Sequence, residues 1–177
     1  MSDTQNRTSL VEVQSVEYLS LPALRFIGKD VVASGPEAGA QYGKMWGESG
    51  TFLPALDKLS AFASELTDPC ALMHHNNQDA TQQMHYLVGR FMKADTPVPD
   101  GFDFYDLPAS RVCRVYVVGE FNAMISQAYA LTRDRILADH HKVPYPLGYF
   151  HAELYPADNV PETGVASRLG YLMSCTL

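Results

Sequence analysis

Residues 149–155 bring one carboxylate and several ring side chains together within a short stretch of chain. Its bulky and aromatic composition predicts a β-strand over 148–156. Because side chains alternate along a strand, the stretch has an apolar face and a polar face. The apolar face takes Phe150, Ala152 and Leu154, and the polar face takes Tyr149, His151, Glu153 and Tyr155. The polar face thus places a single carboxylate among rings.

Glu153 has two possible environments. No lysine or arginine stands between residues 143 and 167 to pair with it locally. A carboxylate removed from water must be hydrogen-bonded or neutralised, and tyrosine hydroxyls are suitable donors. An organic cation meets the same need, because its charge attracts the carboxylate and its surface packs on aromatic rings. The alternative is that Glu153 faces water on an outer surface of the sheet.

The composition limits which classes of protein this chain can belong to. The chain has 177 residues, 46% of them hydrophobic, which is enough for one full hydrophobic core. A net charge of −7 leaves no basic patch for phosphates, so we expect no direct binding to nucleic acid. No apolar run approaches the roughly 18 residues of a membrane helix, and no signal-peptide core follows Met1. We therefore expect a cytoplasmic protein that does not bind membranes.

The sequence gives little support for a metal site or a cofactor site. Three cysteines, without a Cys-x-x-Cys spacing, argue against a disulfide scaffold, and Cys113 is interpreted as a core thiol. The histidine pairs at 74–75 and 140–141 are adjacent, so on a strand their rings point to opposite faces and make poor joint ligands. A glycine-rich phosphate loop is missing from the sequence. We expect no metal and no cofactor.

The first half of the chain predicts strands, a helical region and two further strands. The strands lie in 11–20 and 22–33, and Gly35-Pro36-Glu37 begins a helix. Gly47 and Gly50 interrupt that helix, and a second helical pattern runs from Pro54 to Leu66. The next strands are expected at about 70–76 and 84–93.

The pattern then begins again after the proline-rich turn at 96–101. Leu21-Pro22-Ala23-Leu24-Arg25 recurs as Leu107-Pro108-Ala109-Ser110-Arg111, and the segment 86–92 is echoed by 167–173. A helix is expected at about 121–138, before the Glu153 strand. The order of these matches indicates a single α+β domain of two βαββ repeats, about 11–95 and 102–177. Such a duplication buries one face of the sheet under helices and creates a cleft at the junction between the halves.

The sequence resembles the gyrase-inhibitor-like family, also called the AraC-type effector-binding domain, from about Leu21 to Leu177. The residues that carry the resemblance are Leu21-Pro22-Ala23, Trp46, Tyr86-Leu87-Val88-Gly89, Leu107-Pro108-Ala109, Gly119 and Glu153-Leu154-Tyr155. The resemblance implies a duplicated βαββ fold with an antiparallel sheet, helices on one side, and a pseudo-two-fold cleft between the halves for small, often cationic or amphipathic molecules. It assigns the principal polar contact at the floor of that cleft to Glu153, with Tyr155 as its neighbour.

The chain departs from the family pattern at two places. Val112 and Cys113 stand where the family often has a tyrosine, and the last strand lacks the usual terminal proline. Some family members hydrolyse small reactive molecules with the glutamate and a nearby tyrosine, and the first departure argues against such catalysis here. Transcription factors of the family carry an additional DNA-binding segment. We expect a stand-alone member, related to transcription regulators, without that segment.

Further candidates for the cleft are aromatic or adaptable side chains. Tyr42 and Trp46 share a helix face at i, i+4 spacing, and each is alternatively a core residue. Strand residues that a two-fold cleft would expose are Met73, His75, Phe91 and Tyr116. Methionine and aromatic side chains adapt to varied ligands, although burial in the core is the alternative for each.

Three functions follow from these patterns. The first is a non-enzymatic binder of amphipathic organic cations, of the kind that recognise several drugs, with no catalytic residues. The second is a hydrolase of small reactive molecules, with Glu153 as general base and a cleft tyrosine as acid. The third, implied by the resemblance alone, is a gyrase-inhibitor type of protein interaction, for which an acidic chain suits a basic partner of unknown identity.

Overall fold

Eight antiparallel strands form one sheet that carries two helices, so the fold is α+β, as the sequence predicts. The computed structural model describes residues 11–32, 36–59, 61–62, 65–75, 84–144, 149–156 and 167–177. In chain order the elements are β1 (Glu12–Leu21), β2 (Leu24–Val32), α1 (Ala38–Asp57), β3 (Cys70–His75), β4 (Met84–Lys93), β5 (Asp103–Leu107), β6 (Ser110–Gly119), α2 (Phe121–Ala138), β7 (Phe150–Leu154) and β8 (Ser167–Ser174). The strands lie in the order β1-β6-β8-β7-β3-β4-β2-β5.

The two outer strands of the sheet pair across the sequence. β1 pairs with β6, and β5 pairs with β2, so neither outer strand lies beside its nearest neighbour in sequence. Leu21 is thereby paired with Ser110, and Leu24 with Leu107. The prolines of the two Leu-Pro-Ala segments occupy the turns next to these pairs, where a missing N–H costs no ladder hydrogen bond.

Both helices lie on the same face of the sheet. One cross-strand row runs from Tyr171 of β8 through Glu153 of β7 and Ala71 of β3 to Val88 of β4. Side chains paired across neighbouring strands point to the same face. Ala71 and Val88 pack in a cluster with α1, whereas Tyr171 packs in a cluster with α2.

The opposite face carries a separate apolar core. Its side chains alternate with those under the helices, and they come from strands of both halves of the chain. They include Leu24, Phe26, Leu72, Leu87, Phe91, Phe150, Ala152 and Leu154. The apolar face that the sequence predicts for β7 therefore lies in this core.

One close approach within the sheet requires glycine. Gly28 of β2 and Gly89 of β4 are paired directly. A Cβ on Gly28 would lie 2.3 Å from the carbonyl oxygen of Val88, and one on Gly89 would lie 2.0 Å from that of Ile27. Such distances are far below van der Waals contact, so any larger residue would push the two strands apart.

Two elements differ from the sequence-based expectation. α1 is one continuous helix through Gly47, Gly50 and Pro54, not two helices. Its last turns bury Phe52, Leu53 and Leu56 against the sheet, and this tertiary packing outweighs the weak helix propensity of the glycines and proline. The second difference is the short outer strand β5, which is not predicted from the sequence.

The second helix forms where the sequence predicts it. It spans Phe121–Ala138, and the side chain of Glu120 accepts hydrogen bonds from the backbone N–H groups of Asn122 and Ala123 at 3.0 and 2.9 Å. These bonds satisfy two of the free N–H groups in the first turn. Neither described helix has the length and apolarity needed to cross a membrane.

Candidate functional site

Glu153 lies near the middle of the sheet, between the strands that the two helices cover. β7 has β8 on one side and β3 on the other, so both of its backbone edges are paired. The Glu153 side chain points to the helix-bearing face and keeps only 9% of its exposure. The alternation of β7 thus places a carboxylate at a site largely removed from water.

Two tyrosine hydroxyls hold the carboxylate. Tyr155 donates to Glu153 Oε2 at 2.7 Å, and Tyr86 donates to the same oxygen at 3.1 Å. The indole N–H of Trp46 in turn donates to the Tyr86 hydroxyl at 2.9 Å. A chain of hydrogen bonds therefore runs from α1 through β4 to β7.

Aromatic rings surround this chain of hydrogen bonds. Trp46 lies with its ring centroid 4.4 Å from that of Tyr155. Tyr42, one turn earlier on α1, stacks on Tyr86 with centroids 4.0 Å apart and planes within 14°. We call Glu153, Tyr86, Tyr155, Trp46 and Tyr42 the Glu153 cluster.

The charge of Glu153 has no counter-charge in the described part of the chain, where its polar contacts are the two tyrosine hydroxyls. Burial raises the pKa of Glu153, and the hydrogen bonds from Tyr155 and Tyr86 oppose that rise. The pKa values of Tyr86 and Tyr155 are raised as well, first by burial and then by the nearby negative charge. The cluster is therefore acidic and aromatic, and it lacks a cation.

A second aromatic group adjoins the first on the α2 side. The hydroxyl of Tyr171 is hydrogen-bonded to Nδ1 of His151 at 2.5 Å, and both side chains are buried. Tyr129 of α2 and Tyr149 lie with their ring centroids 5.4 Å from the imidazole. We call these four residues the His151 group. His151 and Glu153 share one face of β7, so an aromatic surface continues from one helix to the other.

The residues proposed from the sequence divide between the two faces. Met73 of β3 lies on the helix-bearing face, in the cluster under α1, as do Trp46 and Tyr42. Phe91 lies on the opposite face, edge-to-face with Phe26 at 4.9 Å, because it is an odd number of residues from Tyr86. The side chain of His75 lies outside the described residues.

Tyr116 also lies away from Glu153. It alternates with Val115 and Val117, which pack in the cluster under α2, so its ring points to the other face. There the guanidinium of Arg168 lies over it at 3.9 Å. Strand parity thus separates Phe91 and Tyr116 from the Glu153 cluster.

Several members of the site were not proposed from the sequence. Tyr129 carries no motif of its own, and His151 and Tyr149 had the correct parity but no assigned role. Tyr86 and Tyr171 lie in the echoed segments 86–92 and 167–173, and Tyr86 also carries the family resemblance, but neither was given a role in the site. The contact of Tyr86 with Glu153 joins β4 and β7 across β3, and no short-range pattern reports such a contact.

Metal and thiol chemistry receive no support from the described residues. Among them, no group of three or more histidine, cysteine, aspartate or glutamate side chains is placed to hold a metal ion. Cys113 is buried, and burial raises the pKa of its thiol to about 11. The protonated thiol is a poor nucleophile.

Comparison by sequence finds no matching family model and no matching curated protein. Comparison by structure finds clear similarity. SAV2435 bound to tetraphenylphosphonium matches with a TM-score of 0.66 and 14% identity, over 92% of this chain and 94% of that chain. The C-terminal domain of EcmrR matches with a TM-score of 0.52 and 10% identity, over 91% and 96%.

A third similar structure is described as a hydrolase from Listeria innocua, with a TM-score of 0.53 and 10% identity, over 92% of each chain. At such low identities the similarity concerns the fold. The chain therefore shares its α+β fold, over nearly its whole length, with a protein that binds an organic cation, with a domain of EcmrR and with a hydrolase.

Proposed function

We propose that this chain is a binding protein for amphipathic organic cations, which it holds in a cleft over β7. The observation that carries the proposal is the environment of Glu153. Its carboxylate is buried among rings and has no counter-charge among the described residues. Since a buried charge is costly without a partner, a cationic ligand supplies what the site lacks.

The lining of the site fits an amphipathic cation. Rings of Trp46, Tyr42 and Tyr155 offer apolar area and the negative faces that attract cations. Met73 adds a flexible side chain that adjusts to ligands of different shape. Both tyrosine hydroxyls donate to Oε2, which leaves Oε1 as the oxygen without a donor among the described residues. Oε1 is therefore the atom we assign to the cation.

The structural comparison supports this ligand class. SAV2435 holds tetraphenylphosphonium, which is a permanent cation with four phenyl rings, on a fold shared over 92% of this chain. The gyrase-inhibitor-like resemblance independently assigns the polar contact to Glu153. Fold and residue pattern thus favour the same family and the same class of ligand.

We further infer that the fold is a duplication, with repeats at about 11–95 and 102–177. Two strands, a helix and two strands occur in the first half, and the same order occurs in the second. The pairing of β1 with β6 mirrors that of β5 with β2, as a two-fold relation between halves requires. Glu153 then lies beside the axis of the repeat, where a cleft between the halves would open.

Titration with tetraphenylphosphonium tests the proposal. We expect saturable binding to the wild-type chain, weakened by about 10- to 100-fold in Glu153→Gln, because the amide keeps the shape and removes the charge. The affinity for triphenylphosphine oxide, a neutral aromatic control, should fall far less in Glu153→Gln. Equal losses for both compounds would remove the electrostatic role of Glu153, and an absence of binding would contradict the proposal.

Hydrolysis is the second candidate, and one contact favours it. The Tyr155 hydroxyl lies 2.7 Å from a carboxylate whose pKa burial has raised. A carboxylate with a raised pKa is a stronger base toward water, and the hydrogen bond from Tyr155 orients it. One similar structure is described as a hydrolase.

Mass spectrometry separates the two candidates. Ligands found by thermal shift are incubated with the wild-type chain and with Glu153→Gln, and the products are measured. Binding without turnover supports the binding protein. Turnover that disappears in Glu153→Gln supports the hydrolase, and Tyr155→Phe should then lower the rate while leaving the ligand bound.

A further inference from the structure

A separate pocket lies at the β5 end of the sheet. Its volume is about 660 Å³, which falls within the range of about 300–1,000 Å³ found for small-molecule sites. Asp30 of β2 and His85 and Leu87 of β4 contribute to its wall. His85 and Leu87 alternate with Tyr86 and Val88 along β4, and Asp30 is paired with Leu87. All three side chains therefore point away from the face that carries Glu153. The pocket is therefore distinct from the Glu153 cluster.

A histidine–aspartate pair forms one side of this pocket. Nδ1 of His85 lies 2.5 Å from Oδ2 of Asp30. Because an ionised carboxylate only accepts hydrogen bonds, Nδ1 of His85 is the donor in this contact. Asp30 Oδ1 and His85 Nε2 are both buried, and neither has a hydrogen-bond partner among the described residues. The unpaired carboxylate oxygen of Asp30 makes the local potential more negative.

A stack of flat rings continues from the pair. The rings of His85 and His74 are parallel within 8°, with centroids 5.0 Å apart. Tyr105 of β5 stacks on the other side of His74 at 3.6 Å. Phe102 and Phe104 complete the aromatic lining. The pocket thus offers flat surfaces, which suit a planar ligand.

The charges around the pocket do not cancel. Of its three carboxylates, Asp106 is held by the guanidinium of Arg25 through two bonds of 2.7 and 3.0 Å. Asp103 accepts the backbone N–H of Asp30 at 3.1 Å, which brings a second carboxylate beside Asp30. The ammonium of Lys29 bonds to the carbonyl oxygen of Gly101 and lies 4.8 Å from the ring of Phe102, so its positive charge stays near the pocket. The three carboxylates still outnumber the guanidinium and the ammonium by one.

We propose that this pocket is a second ligand site, for a flat organic cation that carries N–H donors, of the arylamidine class. The aromatic part of the ligand lies against the ring of Tyr105, which shares a face of β5 with Asp103. Its amidinium group donates N–H groups to the exposed carboxylate of Asp103, and the charge of Asp30 beside it adds attraction. The requirement for N–H donors distinguishes it from the Glu153 site, where a permanent cation without donors suffices.

Calorimetric titration of the full chain with benzamidine at low ionic strength tests the site. We expect saturable binding that Asp30→Asn and Asp103→Asn each weaken by about tenfold or more, because each removes one negative charge. The same titrations are repeated in a Glu153→Gln background, which removes the charge of the other proposed site, and the losses in the two aspartate variants should persist there. In NMR spectra, benzamidine should shift the ring signals of His85 in the wild-type chain.

Three results would overturn the proposal: no saturable binding of benzamidine, wild-type affinity in both aspartate variants, or loss of binding in Glu153→Gln alone. Circular dichroism and cooperative thermal unfolding establish that each variant is folded. Asp103 is exposed, so Asp103→Asn remains informative even where Asp30→Asn fails to fold. The outcome does not depend on whether tetraphenylphosphonium binds at Glu153.

Discussion

The indole N–H of Trp46 donates to the hydroxyl of Tyr86 over 2.9 Å, and that hydroxyl donates to Glu153. A residue of α1 is thus linked to a carboxylate of β7 through one intervening side chain. Because Trp46 is the single tryptophan of the chain, its fluorescence reports directly on the Glu153 cluster.

We expect tetraphenylphosphonium to quench the emission of Trp46. A bound aromatic cation beside Glu153 lies close to the indole, whose ring is 4.4 Å from Tyr155. The quenching should saturate with the same affinity that calorimetry measures, and Glu153→Gln should shift the titration to higher concentration. Binding by calorimetry without any change in emission would place the ligand away from Trp46.

Binding of a permanent cation should release protons from the protein. Burial raises the pKa of Glu153 above its ordinary value of 4.5, and a bound cation favours the ionised form and lowers that pKa again. The affinity should therefore rise with pH through the titration of Glu153 and level off above it. Calorimetry in buffers of different ionisation enthalpy measures the proton release, which Glu153→Gln should abolish.

The free protein should lose stability as pH rises above about 4.5, the ordinary pKa of glutamate. Between that value and the raised pKa, the folded state keeps the Glu153 proton that the unfolded state releases. In this window the contribution of Glu153 to stability falls by about 1.4 kcal/mol per pH unit, and above the folded pKa it is constant. Below 4.5 Glu153 carries its proton in both states.

Urea unfolding of wild type and Glu153→Gln across this pH range checks the expectation. The glutamine variant lacks the ionisable group. Its unfolding free energy should therefore increase relative to that of wild type as pH rises. A difference that is independent of pH would mean that Glu153 titrates alike in the folded and unfolded chains.

Glycine substitutions should have opposite effects in the sheet and in α1. Gly89→Ala places a Cβ 2.0 Å from the carbonyl oxygen of Ile27, and we expect a loss of about 1–3 kcal/mol or more in unfolding free energy. Gly47→Ala, in α1, meets nothing within 4 Å, and should gain about 0.5–1 kcal/mol from higher helix propensity. Denaturant unfolding of both variants measures the contrast, and a loss in Gly47→Ala would contradict it.

The sequence by itself determined the features that depend on local periodicity and capping. Alternation over 149–155 placed Glu153 on the face opposite to Phe150 and Leu154, and β7 has that arrangement. The sequence also predicted a helix at about 121–138, and α2 spans Phe121–Ala138. These features need only the period of the element and the residues at its ends, so a single segment of sequence contains them.

Tertiary structure alone decided which residues of other elements meet Glu153. Tyr86 reaches it from β4, two strands away, while Phe91 of the same strand points to the opposite core. α1 continues past Gly47 and Pro54 because Leu56 is buried against the sheet, and β5 forms because β2 offers it an open edge. Each of these outcomes depends on contacts between segments distant in sequence. Their energy comes from burial and strand pairing, and neither is encoded in the local pattern.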